Sequence, residues 1–220
     1  MFMTKIQLLK HLSLLICLLS IVVSVNSQTY TPATKSQIQE ISANIQKTAS
    51  NTSTIESRFV QKKTLSVLSE TVTSDGIMYY KKEDNLRWQY NKPYSYIFIL
   101  SSGKVYIKND NKVNSFDTES NKLFKEISRI MIGSVRGNLL SQNNDFTIQY
   151  YWSSKTVMVS LTPKSGELKK LMSLVKLTFS TSDWLVQSIE LIESGGDNTI
   201  ITFTEKNVNK GIPDTMFRLN

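Results

Sequence analysis

The sequence predicts an α+β fold: one large curved antiparallel sheet with helices packed on one side. Three observations predict it. An amphipathic pattern at helical spacing opens the folded part of the chain. After Asn51 the apolar residues recur at every second position, in short runs broken by turn signals. Residues 124–140 then return to helical spacing before the alternating runs resume. Strands joined by turns too short for a crossover must run antiparallel, and helices that cover one side of such a sheet complete a two-layer domain. The length of 220 residues suits a single domain.

Residues 1–27 are expected to be a signal peptide. Lys5 and Lys10 form a basic leader, an apolar run extends from Leu12 to Val25, and Val25 and Ser27 are small residues placed for cleavage after Ser27. The run is shorter than the roughly 20 residues a bilayer span needs. Cys17 follows Ile16, a large branched residue where lipoprotein processing wants a small one, so lipidation there is disfavoured. A single folded domain is expected to cover 28–220.

Cleavage would have a chemical consequence. The only histidine, His11, and the only cysteine, Cys17, would leave with the leader. Disulfides, Cys/His zinc sites, Ser–His–Asp triads and Cys–His dyads would then be excluded. The net charge of +8 would fall to +6, carried by scattered lysines such as Lys62-Lys63, Lys81-Lys82 and Lys169-Lys170. That pattern suits a solvated basic surface or attraction to an anionic membrane or partner. Nucleic acid is not expected as a partner of an exported protein.

The elements follow in order. Ile38, Ile41 and Ile45 share one face of a helix over 36–50; Ser36 with Gln39 suggests a capping box, and Glu40 suits the first turn. Residues 55–84 alternate as strands, with Ser74-Asp75-Gly76 read as a turn. Residues 85–117 continue as short strands, with turns at Ser101-Ser102-Gly103 and Asn109-Asp110-Asn111. In 124–140, Phe124, Ile127, Met131 and Val135 form a stripe that Ile130, Ile132, Leu139 and Leu140 widen. Gly133 and Gly137 lie inside it, and each costs a helix about 1 kcal/mol relative to alanine. The segment is therefore expected to be marginal. Its Gly-x-x-x-Gly spacing would fit a membrane helix pair, but Arg129 and Arg136 make that a poor reading. Strands then run to the C-terminus through Phe146–Trp152, Val157–Leu161, Val175–Phe179 and the alternating residues on either side of Gly195-Gly196-Asp197-Asn198.

Within Tyr94–Leu100 both alternating sets are apolar: Ile97 and Ile99 against Tyr96, Phe98 and Leu100. A sheet with one face in water would alternate with polar residues. Either the sheet lies between two structural layers, or one face lines an apolar cavity. Upstream, Leu86, Trp88 and Tyr90 share one face and Arg87 takes the other. Arg87 either covers aromatic rings at the surface or holds backbone carbonyls of a mobile segment with its five-donor fork.

Phe59-Val60-Gln61, Gly76, Leu86-Arg87-Trp88-Gln89-Tyr90-Asn91-Lys92-Pro93, Leu161-Thr162-Pro163-Lys164 and Asn198–Phe203 together resemble the LolA family of periplasmic carriers for outer-membrane lipoproteins. The likeness covers roughly residues 35–218. A proline usual in the family shortly before Leu-Arg-Trp is replaced by Lys82-Glu83-Asp84. The resemblance implies an α+β fold: an unclosed antiparallel β-barrel with an N-terminal helix and an inserted helical lid over an apolar concavity. It implies a monomer that carries acyl chains of lipoproteins from the inner to the outer membrane. An ABC transporter of the inner membrane would load it, and an outer-membrane acceptor would unload it. It implies no catalysis and no cofactor. The lid falls on 124–140, with Arg87 as its latch and Gly133 and Gly137 as hinges. Phe59, Trp88, Phe98, Ile130 and Met131 are candidates to line the cavity. A phospholipid or glycolipid on the same fold is the alternative cargo. An enzymatic reading of Glu190, Glu193 and Asp183 is weak, because residues three apart in a strand face opposite ways.

Overall fold

The structure is a computed structural model that describes residues 29–68, 70–109, 112–117, 129, 132, 133, 140 and 144–219. The expected signal peptide, with His11 and Cys17, and most of the expected lid lie outside the described residues. In chain order the elements are β1 (Thr31–Pro32), α1 (Lys35–Asn51), β2 (Thr54–Leu65), β3 (Glu70–Lys81), β4 (Asn85–Lys92), β5 (Tyr96–Ser101), β6 (Lys104–Asn109) and β7 (Lys112–Asp117). There follow β8 (Phe146–Trp152), β9 (Thr156–Pro163), α2 (Gly166–Leu171), β10 (Met172–Ser180), β11 (Val186–Glu193), β12 (Asn198–Val208) and a 3-10 turn (Asp214–Phe217).

All twelve strands form one sheet in the order β1-β8-β9-β10-β11-β12-β2-β3-β4-β5-β6-β7. Every pairing is antiparallel. β1 and β7 are the free edges, so the sheet is unclosed, as expected. Helix α1 lies on its concave side. Ile41 and Ile45, both buried, join the same apolar cluster as Phe59, Trp88, Phe98, Val159, Leu177 and Phe203.

The alternation set by a two-residue period assigns each strand's faces. Phe59, Met78, Trp88, Phe98 and Val105 are buried on the concave side. Their neighbours in sequence point to the convex side. There Ile97, Ile99, Tyr79 and Tyr106 form a second, smaller core with Ile212, Met216, Phe217 and Leu219 of the C-terminal segment. This explains why β5 is apolar on both faces: here the sheet lies between two layers of the protein's own structure.

Two local expectations are corrected. The helix cap is Thr34, not Ser36. Thr34 has extended backbone angles, its hydroxyl accepts from the Gln37 N–H at 3.3 Å, and Gln37 Oε1 accepts from the Thr34 N–H at 2.9 Å. The chain leaves the sheet just before it, where the Ala33 N–H donates to the Tyr150 carbonyl. The helix therefore starts earlier than the isoleucine stripe suggests, and Glu40 falls beyond its first turn. Ser74-Asp75-Gly76 is likewise not a turn but part of β3, at a register irregularity against β4. The hairpin turn lies eight residues earlier, at Ser66–Leu68, where the Leu68 N–H meets the Leu65 carbonyl. The turns at Ser102-Gly103 and Gly196 are found as expected, with left-handed φ of 51°, 72° and 91°.

Helix α2 was not anticipated. Ser165 caps it by accepting from the Leu168 N–H at 3.2 Å, Glu167 stands in its first turn and Lys169 and Lys170 in its last. Those signs suit the helix dipole at both ends. Among the described residues no helix is long and apolar enough to cross a membrane.

Candidate lipid-binding concavity

A chain of aromatic rings runs along the concave face. Trp88 packs on Phe203 at 5.8 Å between centroids and on Phe59 at 4.8 Å. Phe59 meets Tyr90 edge-on at 5.1 Å, and Tyr90 meets Tyr96 at 6.0 Å. Phe98 is buried beside them in the same cluster. Tilted and edge-on contacts of this kind are the favoured arrangements of aromatic quadrupoles. The structure thus brings together the three described residues expected to line a cavity: Phe59, Trp88 and Phe98. Ile130, Met131 and Gly137 lie outside the described residues.

The backbone beneath the rings accounts for the spacing of the motif. Gly76 pairs with Phe59 on one side and Tyr90 on the other. A Cβ there would lie 2.0 Å from the Gln89 carbonyl oxygen and 2.5 Å from the Phe59 ring. Only glycine lets the ring lie flat over that strand. Gln61, two residues after Phe59 and so on the same face, accepts the Tyr90 hydroxyl at 2.8 Å. The phenol is otherwise enclosed, and burial pushes its pKa up to about 12. The Trp88 indole nitrogen is buried without a hydrogen-bond partner among the described residues. At the outer end, Tyr90 and Tyr96 form part of the wall of an open pocket of about 420 Å³, with Ser74, Pro93, Tyr94 and Asn109. The rings therefore lead from the core to the surface.

β7 and β8 are consecutive strands, yet β7 is one edge of the sheet and β8 is next to the other edge. Only a few residues of the chain between them are described. Ile132 is buried in the concave cluster and Leu140 packs against it. Gly133 is buried and helical. Arg129 donates to the Asp145 carboxylate at 2.7 Å and lies 5.9 Å from the centre of the Phe146 ring. Sequence reasoning passed over Arg129 as an anchor. The available signal was an arginine within an apolar stripe, ahead of Asp145.

The described contacts of Arg87 are with Gln89 and the C-terminal segment. It projects from the convex side, opposite Trp88. Its guanidinium donates to the Gln89 side-chain oxygen at 2.8 and 3.1 Å and to the Met216 carbonyl at 3.2 Å. Burial lowers its pKa from the usual arginine value. Among its described contacts it holds a backbone carbonyl of the C-terminal turn, under the second core. Lys81 does the same one strand away, donating to the Ile212 carbonyl and to Asp214. Neither the sequence nor the motif signalled that this segment needs holding.

The three acidic residues of the enzymatic reading are each in an ion pair. Glu190 pairs with Lys176 at 3.1 Å and Glu193 with Lys63 at 2.8 Å, while Asp183 pairs with Lys206 at 3.2 Å. Among the described residues no three His, Cys, Asp or Glu side chains converge as a metal site.

Residues 50–220 match the family described as outer membrane lipoprotein carrier protein LolA. An outer-membrane lipoprotein carrier protein of Nitrosospira multiformis is 23% identical over 153 residues, covering 67% of this chain and 69% of its own. One from Cupriavidus pinatubonensis is 24% identical over 156 residues, covering 69% and 68%. Among solved structures, a conserved protein of Thermus thermophilus shares the fold with a TM-score of 0.50 at 9% identity, covering 84% of this chain and 94% of its own. With the family match spanning most of its length and the curved, unclosed sheet in place, the chain belongs to the LolA family of outer-membrane lipoprotein carriers.

Proposed function

We propose that this protein is an exported carrier that shelters the acyl chains of lipoproteins on its concave face and passes them between the two membranes. The observations that support this reading are the family match over residues 50–220 and the packing of Ile132 and Leu140, from the β7–β8 connection, against the concave cluster that holds the aromatic rings. Residues 1–27 act as the export signal in this reading, and the carrier works in the periplasm.

The physical task sets the design. Hiding an acyl chain from water is worth about 0.8 kcal/mol per methylene, so ten methylenes amount to about 8 kcal/mol. Release then requires an empty state of comparable free energy. Ile132 and Leu140, packed on the floor, supply that state: they cover the rings when cargo does not. Gly133, and Gly137 beyond it, keep the helical propensity of the cover low. Arg129 fixes the cover at the β8 end, so that opening is a swing about Asp145 and not a detachment. No covalent step takes part. Loading by an inner-membrane transporter and unloading to an outer-membrane acceptor are the partners this cycle calls for.

The test is displacement of an environment-sensitive fluorophore. A triacylated lipopeptide should displace the dye, and its deacylated peptide should not. Equal competition by the deacylated peptide would overturn the reading. Competition by free phospholipid, with none by lipopeptide, would assign the concavity to another lipid.

A further inference from the structure

The four most exposed large apolar side chains, Val67, Tyr94, Leu68 and Val113, lie at one end of the molecule. β2 to β7 form a meander, so the β2–β3, β4–β5 and β6–β7 hairpins all turn at the same end. Two strands separate successive tips, which spaces them roughly 10 Å apart. The first tip exposes Val67 at 90% and Leu68 at 64%, the second Tyr94 at 79% and the third Val113 at 52%. The tips at the opposite end carry Glu83-Asp84 and Ser102-Gly103, and the exposed large apolar side chain near them, Phe116 on β7, is the least exposed of the set at 37%.

We propose that this end docks on the surface of an anionic lipid bilayer, with Val67 and Leu68 entering the interface. Each apolar tip has an exposed lysine close by in sequence: Lys62 on β2, Lys92 before Tyr94 and Lys112 before Val113. Glu70 is the exposed acid beside the first tip. Lysines near an anionic surface each strengthen binding by about fivefold, and a tyrosine side chain favours the headgroup level. The spacing of the tips argues for a bilayer over a protein partner. Separate apolar points with basic residues between them make no continuous patch of the kind a protein interface buries at its core. A deformable lipid surface admits each point on its own.

The first tip is also held in position. The Ser66 N–H donates to the Asp197 carboxylate at 3.0 Å, and the Ser66 hydroxyl to the Gly195 carbonyl at 3.1 Å. Lys63 bonds Glu193 and lies 3.6 Å from the same Asp197 carboxylate. Val67 and Leu68 are thus presented by a braced turn, which lowers the ordering cost of insertion. The same end holds the outer limit of the aromatic run, at Tyr90 and Tyr96. Docking would bring the mouth of the concavity to the membrane from which acyl chains come or to which they go.

The experiment uses the exported protein and lipoprotein-free vesicles of phosphatidylethanolamine with phosphatidylglycerol. Cosedimentation should occur, weaken with salt, and fall at least about tenfold in the Val67→Asp, Leu68→Asp double variant. Leu68→Trp should place a fluorescent reporter whose emission shifts to the blue on mixing with these vesicles. The proposal is overturned if that emission stays unchanged, if phosphatidylcholine vesicles bind as well, or if the double variant cosediments like the parent. Dye binding to the concave face is measured on the same samples. Lost cosedimentation with normal dye binding supports the docking end. Absence of dye binding in the parent would count against the carrier reading alone.

Discussion

At Gly76 a single hydrogen atom decides whether the aromatic floor can be built. The nearest obstacle to a Cβ is the backbone carbonyl of Gln89, at 2.0 Å, and not a movable side chain. Gly76→Ala should therefore destabilise the fold by about 3 kcal/mol, as overpacking against fixed atoms does, and thermal denaturation would measure it. Adding Phe59→Ala should not restore the loss, because the carbonyl remains; rescue by that second change would contradict the geometry. Tyr90 gives a pH test. Its hydroxyl holds its proton up to about 12 in the folded protein, against about 10 for a free tyrosine. Between those values the unfolded chain binds fewer protons than the folded one, so stability falls as pH rises. The full shift corresponds to about 3 kcal/mol at most. Denaturant midpoints should drop from pH 10 towards 12, and Tyr90→Phe should flatten that slope. The Phe59-x-Gln61 spacing was visible in the sequence as a motif. Its meaning was not, because a ring over a glycine and an amide on a phenol are contacts between three strands.

At the scale of elements, strands and the first helix were legible because alternation and helical spacing are local properties. α2 escaped although its cap and charges were present, since six residues are too few for a period to show. The cap of α1 was misplaced for a related reason. Which of two nearby hydroxyls caps the helix depends on where Ala33 leaves β8, a tertiary fact. The β7–β8 connection makes the element-scale prediction. Arg129 and Asp145 are partly exposed, so their bond is a modest one. Arg129→Ala should speed dye release from the concavity by about threefold, the effect of a pair worth some tenths of a kcal/mol to one. Asp145→Asn should do the same, and the double variant should add little. Additive effects, or release rates equal to the parent's, would mean that the pair is no anchor.

The whole molecule has two cores separated by one sheet, and the described residues of the β7–β8 connection, Ile132 and Leu140, join the concave one. The sequence signalled both through the doubly apolar β5, without saying what covers each face. The likeness to the carrier family assigned Arg87 to the lid, whereas its described contacts put it on the convex side, on the Met216 carbonyl. These two placements make opposite forecasts for hydrogen exchange. If Arg87 serves the convex core, Arg87→Leu should speed exchange across residues 212–219, through loss of a half-buried charge-assisted hydrogen bond worth about 1 kcal/mol. It should leave 124–140 as in the parent, and dye affinity with it. A triacylated lipopeptide should act the other way, slowing exchange in the β7–β8 connection and along β4 and β5 while leaving 212–219 untouched. The two faces would then respond independently, because Ile99 and Phe98 point to opposite sides of one strand and share no partner cluster. Faster exchange in 124–140 and retained lipid in Arg87→Leu, with 212–219 unchanged, would return that arginine to the cover. It would also show that the convex core transmits to the concave one through β4.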